Sequence, residues 1–511
     1  MPNLVLLMAD QLRADALGCD DNQFARTPAL DGLAAGGARL GAHMTPNQIC
    51  SPSRGMMFSG LYASHHGLVH NGITLPTDLE LIPHALARAG YRTHGIGKFH
   101  FQPILAPRDL RLPESNAFWE LSDAASWSGP YYGFETAKFV IGESAAATVG
   151  GHYTRWLAEI APEAVGLYAR EQALAPPPSD LDEVWKCAIP EHLHYNNWIA
   201  DNACRFLSAI GDEPFFLFVS FPDPHHPFTP PAPWCDLFAP TDLPRPTSVP
   251  GELRRMPDYV SHGLLADEDA QDGRRTYLEY LLSPGLPREQ GFMTTTAAIS
   301  DETLRLAIAH TYGAVAMIDN GIGRILQTLA ATGLADDTFV VFTSDHGEFL
   351  GDHGLLHKGP PPYRQLLQVP FVIGGPGIAP ISTDALTSHV DIKATLLELL
   401  GIDGDPGDGT SFAPLLRGTA KAAREAVWAE YHPRAIAEQY NQTLITADWH
   451  LTLYPHHRTW GELFDRRADL DETRNLFHDP GLADIRARLT ARIENEWPPA
   501  SDAGGPRIAT Y

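Results

Sequence analysis

Cysteine and basic residues are both scarce in this sequence. The 511 residues include five cysteines, which have neither the spacing of a zinc site nor the density of a disulfide framework: Cys19, Cys50, Cys187, Cys204 and Cys235. We therefore expect a reducing, cytoplasmic location. Lys and Arg number 37 against 62 Asp and Glu, and this net charge of −25 argues against nucleic-acid binding. An anionic substrate would have to be attracted by a local basic site.

Long apolar runs are also lacking. No stretch reaches the roughly 20 apolar residues that are needed to span a membrane. The apolar run at residues 3–9 is too short for a signal peptide, has no basic residues before it and is followed at once by Asp10 and Gln11. We expect no membrane association, and we interpret this run as a buried first strand.

Several apolar runs are typical of buried strands in a parallel sheet. They lie at residues 2–8, 214–221 and 338–343, and helical patterns occur between them, for example over residues 79–89 and 301–333. The sequence is 44% apolar and 19% charged, so it can form a large core. These patterns predict an α/β protein.

Polar side chains follow the ends of the predicted strands, where open α/β sheets bind their ligands. They are Asp10 and Gln11 after the first strand, Lys98 and His100 at the end of a strand over residues 91–100, His225 after residue 221, and Asp345, His346 and Lys358 after residue 343. Alternation along a strand would direct Lys98 and His100 to one face. Each residue also has an ordinary explanation, because Asp10 could cap a helix, Lys98 could reach solvent and His225 could lie in a rigid turn.

The stretch Cys50-Ser51-Pro52-Ser53-Arg54 places a cysteine at the start of a predicted helix. Pro52 suits a first helical turn, and the apolar residues at 56–58 follow it. Free backbone donors at a helix N-terminus, together with the guanidinium one turn further on, favour an anion at this position. The alternative is that Cys50 is an ordinary buried thiol.

The remaining sequence suggests two domains. Residues 102–197 and 230–300 show little regular pattern, and we predict that they are irregular insertions. A Gly- and Asp-rich linker at residues 403–409 precedes strand-like segments at 426–431, 443–454 and 461–465 and a helical segment at 483–497. We predict a catalytic domain over residues 1–402 and a smaller C-terminal α+β domain over 403–511, which ends in an extended tail from residue 498.

The Cys-x-Pro-x-Arg pentapeptide at 50–54 resembles the maturation signal of the type I sulfatases. In that family the cysteine is converted to formylglycine, and one hydroxyl of the metal-bound aldehyde hydrate attacks the ester while the other later expels sulfate. Further resemblance lies at residues 10–11, 97–100, 224–228, 343–358 and 462–465. The resemblance implies an alkaline phosphatase-like α/β/α sandwich with a mixed, mainly parallel sheet, and hydrolysis of sulfate monoesters as in arylsulfatases.

The resemblance also implies a role for each matching residue. Five side chains would bind one divalent metal ion or form its ligand shell: Asp10, Gln11, Asp345, His346 and the formylglycine at Cys50. Arg54 would hold the hydrated aldehyde, Lys98 would contact the sulfate, and His100 would accept a proton when sulfate leaves. His225 and Lys358 would bind sulfate oxygens and help to protonate the leaving group, and Asn71 would lie beside the site.

Two departures from the family pattern affect the metal and the substrate. Gln11 replaces a second aspartate, and His346 replaces an asparagine. We expect calcium, but because calcium prefers an all-oxygen shell, the His346 nitrogen makes manganese its competitor. The phosphonate monoester hydrolases and phosphodiesterases of this superfamily share both departures and use the same formylglycine, so such an activity is the alternative. The pattern of that group has other polar residues in place of a Lys-x-His pair, so the presence of Lys98 and His100 favours a sulfatase.

A hypothesis from another class is that Cys50 remains a thiol. The chain would then be a metal-dependent mutase of the wider superfamily or a silent binding protein, although such mutases need two metal ions and the sequence suggests ligands for one. No cluster identifies the alcohol part of the substrate, which we expect to be a small anionic ester. Maturation implies a formylglycine-generating enzyme as a transient partner. The extended tail could reach a second copy of the chain, which would form a homo-oligomer.

Overall fold

Sixteen strands occur in the part of the chain that the computed structural model describes, residues 1–255, 294–432, 439–497 and 506–509. In chain order they are β1 Asn3–Ala9, β2 Ala38–Leu40, β3 His43–Met44, β4 Arg92–Gly97, β5 Thr136–Phe139, β6 Phe215–Phe221, β7 Thr294–Thr295, β8 Thr338–Ser344, β9 Leu355–Leu356, β10 Phe371–Gly374, β11 Ile381–Thr383, β12 Thr387–Ser388, β13 Ala426–Tyr431, β14 Asn441–Thr446, β15 Trp449–Leu453 and β16 Gly461–Asp465.

The main sheet has eight strands in the order β11-β2-β10-β8-β1-β6-β4-β5. Neighbours run parallel except β10, which is antiparallel to both β8 and β2. The central strands β1, β6 and β8 are buried along their whole length, because helices cover both faces of a parallel sheet. The prediction of a mixed, mainly parallel sheet is confirmed.

The described helices pack on both faces of this sheet and on the C-terminal sheet. In chain order they are α1 Pro28–Gly36, α2 Cys50–Ser59, α3 Ala63–His66, α4 Ile82–Arg88, α5 Gly151–Ile160, α6 Tyr195–Ala209, α7 Asp301–Ala331, α8 Arg364–Leu367, α9 Val390–Leu400, α10 Ala413–Leu416 and α11 Ala483–Glu496. The long helix predicted over 301–333 is present and ends two residues earlier, at Ala331. The helical pattern over residues 79–89 forms a helix from Ile82, where Pro83 suits the first turn.

The stretch over residues 102–197 is more regular than its sequence pattern indicates. It contributes the edge strand β5, which pairs with β4, and the helix α5. A strand of four residues is too short to show a period, so the sequence pattern does not reveal it. Of the predicted excursion over 230–300, residues 256–293 lie outside the described part, and β7 pairs with β9 next to it.

The C-terminal part forms an antiparallel sheet of four strands, β13-β14-β15-β16, on which α11 packs. The strand-like segment over 443–454 is a hairpin, since β14 and β15 pair across a short turn. Met56 of α2 belongs to the same hydrophobic cluster as Leu444, Leu451 and Leu463 of this sheet, so the helix that carries Cys50 shares a core with the C-terminal part. The described end of the tail returns to the same chain, with Ile508 N 2.9 Å from Gly72 O.

The helices in the described part of the chain are too short or too polar to cross a bilayer.

Candidate active site

The predicted site residues meet at one edge of the main sheet. The register of the sheet aligns Ala9 with Phe221 and with Ser344, so the residues that follow β1, β6 and β8 emerge side by side. Helix α2 begins at this edge with Cys50 as its first residue, and Asn71 Oδ1 accepts a hydrogen bond from Ser51 N at 3.1 Å. The folding of four separate chain segments therefore brings the site together.

Four potential metal ligands surround one point at the start of α2. They are Asp10, Cys50, Asp345 and His346, and their ligand atoms all lie within 4.8 Å of one another. Cys50 Sγ is 3.1 Å from His346 Nε2 and 3.9 Å from Asp10 Oδ1. All four side chains are buried, so an ion here would be shielded from solvent. The structure therefore brings these four residues together.

The His346 imidazole has the protonation state that a metal ligand needs. Its Nδ1 lies 2.9 Å from the Gly347 carbonyl oxygen, so Nδ1 carries the proton and donates it, which leaves the Nε2 lone pair directed at the group of four. Burial lowers the pKa of His346 to about 4, so the ring is neutral near pH 7. Two carboxylates and a neutral imidazole nitrogen are a fitting donor set for a divalent ion.

Arg54 links the two carboxylates of this group. Its Nε donates to Asp345 Oδ2 at 2.8 Å and its Nη2 to Asp10 Oδ2 at 3.1 Å, while Nη1 donates to the Lys98 carbonyl oxygen at 2.7 Å. Burial alone would lower the pKa of Arg54, but Asp345 and then Asp10 outweigh burial and raise it. The guanidinium stays charged and holds both carboxylates in position.

Lys98 and His100 lie in the site, but not on a strand as predicted. Strand β4 ends at Gly97, which has a φ of 102° and a position where a Cβ would lie 1.8 Å from the Ser220 carbonyl oxygen. The chain turns there, so strand alternation does not apply to the two residues. Lys98 Nζ is 2.6 Å from Asp10 Oδ2. Burial and then the Lys98 charge hold the pKa of His100 well below its usual range, so this imidazole is a neutral base.

His225, Lys358 and Gln11 form a hydrogen-bonded chain beside the carboxylates. His225 Nδ1 donates to the His226 carbonyl oxygen at 2.6 Å, so its Nε2 accepts from Lys358 Nζ at 2.9 Å. Lys358 Nζ also donates to Gln11 Oε1 at 2.6 Å. The Gln11 oxygen has a second lone pair and could bind an ion at the same time. In this state Lys358 carries the protons that could be donated, and His225 is the acceptor that positions its ammonium group.

Sequence patterns do not predict three buried carboxylates that support the site. Glu114 accepts hydrogen bonds from the backbone N–H groups of His100 and Phe101, Glu143 forms an ion pair with Lys98, and Glu348 accepts from the Gln11 amide. Glu114 and Glu143 belong to the stretch that lacks a regular pattern, and no motif singles them out. Only the burial of their charges would have identified them.

A second group of potential ligands consists of Glu183, His226 and His357, which also lie within 4.8 Å of one another. Gln11 Nε2 lies 3.1 Å from His226 Nδ1, while the Gln11 oxygen accepts from Lys358. His226 Nδ1 therefore accepts a hydrogen bond and Nε2 carries the proton, so neither nitrogen offers a lone pair to an ion in this state. The geometry fits a hydrogen-bonded cluster better than the second ion that a mutase would need.

The encoded thiol of Cys50 is a poor nucleophile in this environment. Burial, followed by the charge of Asp10, raises the pKa of Cys50 to about 11, so the group is protonated near neutral pH. A thiol in this position would need modification or an ion to become reactive.

Comparisons with known proteins agree with this geometry. A model of the sulfatase family matches residues 2–402, and one described as N-sulphoglucosamine sulphohydrolase, C-terminal, matches residues 351–497. The chain is 28% identical over 494 residues to an arylsulfatase of Clostridium perfringens, which covers 93% of this chain and 90% of that protein. It is 26% identical over 510 residues to a choline-sulfatase of Rhizobium meliloti, and this match covers 96% of this chain and 85% of that protein.

A solved structure extends the comparison to the fold. The phosphonate monoester hydrolase of Agrobacterium radiobacter superposes with a TM-score of 0.76 at 26% identity, and the match covers 97% of this chain and 95% of that one. The alkaline phosphatase-like fold is therefore shown. Because the family model matches more than half of the sequence, this chain belongs to the sulfatase family of hydrolases.

Proposed function

We propose that this chain hydrolyses sulfate monoesters and that its nucleophile is a formylglycine formed from Cys50. The observation that carries the proposal is the position of the Cys50 Sγ atom, which lies 3.1 Å from His346 Nε2 in one group with Asp10 and Asp345. Three cationic side chains, Arg54, Lys98 and Lys358, contact the same group or its neighbours, as attack on an anionic ester requires. The arylsulfatase and choline-sulfatase relatives support it.

The side chains of the site would have different roles in this reaction. Asp10, Asp345 and His346, with Gln11, would hold a divalent ion, which supplies positive charge at the ester and lowers the pKa of the attacking hydroxyl. Arg54 would hold the hydrated aldehyde. Lys98 and Lys358 would bind the sulfate oxygens. His100 is neutral, so it can accept the proton of the second hydroxyl when sulfate leaves.

The departing alcohol should test the roles of His225 and Lys358. An alkoxide needs a proton as the ester bond breaks, whereas a nitrophenoxide is stable without one. We expect His225→Ala to lower kcat/KM for an alkyl sulfate by about 10²–10⁴ and for 4-nitrophenyl sulfate by about tenfold or less. Steady-state rates on a series of esters with leaving groups of graded pKa would check this. An equal loss on every ester would show that His225 does not assist the leaving group.

The metal is proposed to be calcium or manganese, and His346 should decide between them. A nitrogen ligand favours manganese, whereas calcium prefers oxygen. We expect His346→Asn to weaken Mn²⁺ binding relative to Ca²⁺ by about 10–100-fold. Competitive equilibrium dialysis with metal analysis measures this without any turnover. An unchanged preference would mean that His346 is not a ligand.

A phosphonate monoester hydrolase or phosphodiesterase activity is the alternative. The superposition on the Agrobacterium radiobacter enzyme favours it, and such esters carry one negative charge, as sulfate esters do. The presence of both Lys98 and His100 in the site supports the sulfatase instead. The test is to express the chain with a formylglycine-generating enzyme and compare kcat/KM on 4-nitrophenyl sulfate and on 4-nitrophenyl phenylphosphonate. A large excess for the phosphonate would overturn the sulfatase proposal.

The other expectations are proposals as well. We place the catalytic domain at residues 1–402 and the C-terminal domain at 403–511, which the range of the sulfatase family model supports. A reducing compartment is supported by the five cysteines, all of which lie in the described part and are free. A formylglycine-generating enzyme would be a transient partner. For a homo-oligomer, the described end of the tail adds no support, because it contacts its own chain.

A further inference from the structure

Glu143 places a buried negative charge directly behind a cation of the site. Its carboxylate forms an ion pair with Lys98, and the exposed fractions of the two side chains are 0% and 2%. Lys98 Nζ also lies 2.6 Å from Asp10 Oδ2, so one ammonium group is shared by two carboxylates. Neither the motifs nor the comparisons assign Glu143 any role.

This shared pairing reduces the positive potential that an ester meets at Lys98. Charges that are buried interact through a lower effective dielectric constant than charges in water, so a carboxylate in contact with Lys98 offsets much of its attraction. The effect on a ligand scales with the ligand's own charge. A second negative charge on the ester therefore gains less from Lys98 than it would if Glu143 were neutral.

We propose that Glu143 sets the charge selectivity of the site and makes it discriminate against dianionic esters such as phosphate monoesters in favour of monoanionic ones. Sulfate monoesters, phosphonate monoesters and phosphate diesters all belong to the favoured class. The proposal rests on the function proposed above and specifies its substrate class. Glu143 acts through Lys98, so it is a positioning residue with an electrostatic effect.

Glu143→Gln separates this effect from a merely structural one. Glutamine keeps an oxygen that can accept from Lys98 but removes the charge, so the potential at the ester rises. A dianion gains twice as much from that rise as a monoanion. Loss of a structural contact would instead weaken both kinds of ligand by the same factor.

The experiment compares two analogues that cannot be hydrolysed, benzenesulfonate and phenylphosphonate, at a pH of about 8.5, where the phosphonate is dianionic. Dissociation constants are measured by calorimetry on the Mn²⁺-loaded protein. We expect Glu143→Gln to shift the ratio of the two constants toward phenylphosphonate by on the order of tenfold. Glu135→Gln is the matched control, because Glu135 forms a largely exposed ion pair with Arg92 and not with Lys98, and it should leave the ratio within about twofold.

Glu143→Asp is a second variant, which retracts the carboxylate by one methylene and should shift the ratio in the same direction by less. If Glu143→Gln does not fold, the ratio of the two dissociation constants is measured on Glu143→Asp instead. An unchanged ratio, or no binding of either analogue to the wild-type protein, overturns the proposal. Turnover of 4-nitrophenyl sulfate is measured separately, so a shifted ratio in a protein that hydrolyses no sulfate ester would reject the proposed function and retain the role of Glu143.

Discussion

Replacement of Cys50 with alanine is expected to lower kcat/KM for 4-nitrophenyl sulfate by at least about 10⁴-fold, because the nucleophile is removed and the rest of the site can only bind the ester. The methyl group of alanine fits where the thiol lies, at the first position of α2, so the fold should be retained. The measurement is initial-rate kinetics on protein expressed with a formylglycine-generating enzyme, together with circular dichroism to verify folding.

Two controls make this result specific to position 50. Cys204 is a free, half-buried cysteine on α6 and does not belong to the group of potential ligands, so Cys204→Ala should retain full activity. The mass of the proteolytic peptide that contains Cys50 should show an aldehyde in the wild-type protein. An unmodified thiol in an active enzyme, or full activity of Cys50→Ala, would contradict the mechanism.

The second large effect is expected for Asp345→Asn. Asp345 Oδ1 accepts from Gln11 N at 3.0 Å and from His346 N at 2.9 Å, and its Oδ2 accepts from Arg54 Nε at 2.8 Å. The neutral amide removes one ligand charge and leaves the buried Arg54 with a single carboxylate partner. We expect activity to fall by about 10³-fold or more, and the free energy of unfolding by about 3–5 kcal/mol, as when a buried ion pair is broken.

Urea unfolding and metal analysis would separate the two parts of this prediction. Asp352→Asn is the matched control. Asp352 Oδ2 lies 2.7 Å from Arg13 Nη1, and Asp352 does not belong to the group of four potential ligands. Asp352→Asn should lower the free energy of unfolding, because it weakens the ion pair with Arg13, but it should not remove the metal ion. If Asp345→Asn retained both the metal and the activity, Asp345 would not be a ligand.

Local sequence patterns predict the parts of the site that depend on strand ends and on one helix start. An apolar run followed by Asp10, another followed by Asp345, and Cys50 before Pro52 each have a local physical reason, because parallel strands deliver their carboxyl ends to one edge. These residues do lie together in the structure. The same patterns wrongly extend β4 to His100, since the close approach of Gly97 to Ser220 depends on the neighbouring strand.

The sequence by itself therefore determined the fold class, through the periodicity of its apolar runs, and it placed Asp10, Cys50 and Asp345 at segment ends that meet in the structure. The roles proposed for these residues follow from the resemblance of the pentapeptide at 50–54. Only the tertiary structure decided the tautomer of His346, the hydrogen bonds from Lys358 to His225 and Gln11, and the placement of Glu143 behind Lys98. These features depend on side chains that are distant in sequence and meet in a buried volume. A buried charge is stable only when it is paired with an opposite charge or a hydrogen-bonding group, and the local sequence does not specify which residue will be that partner.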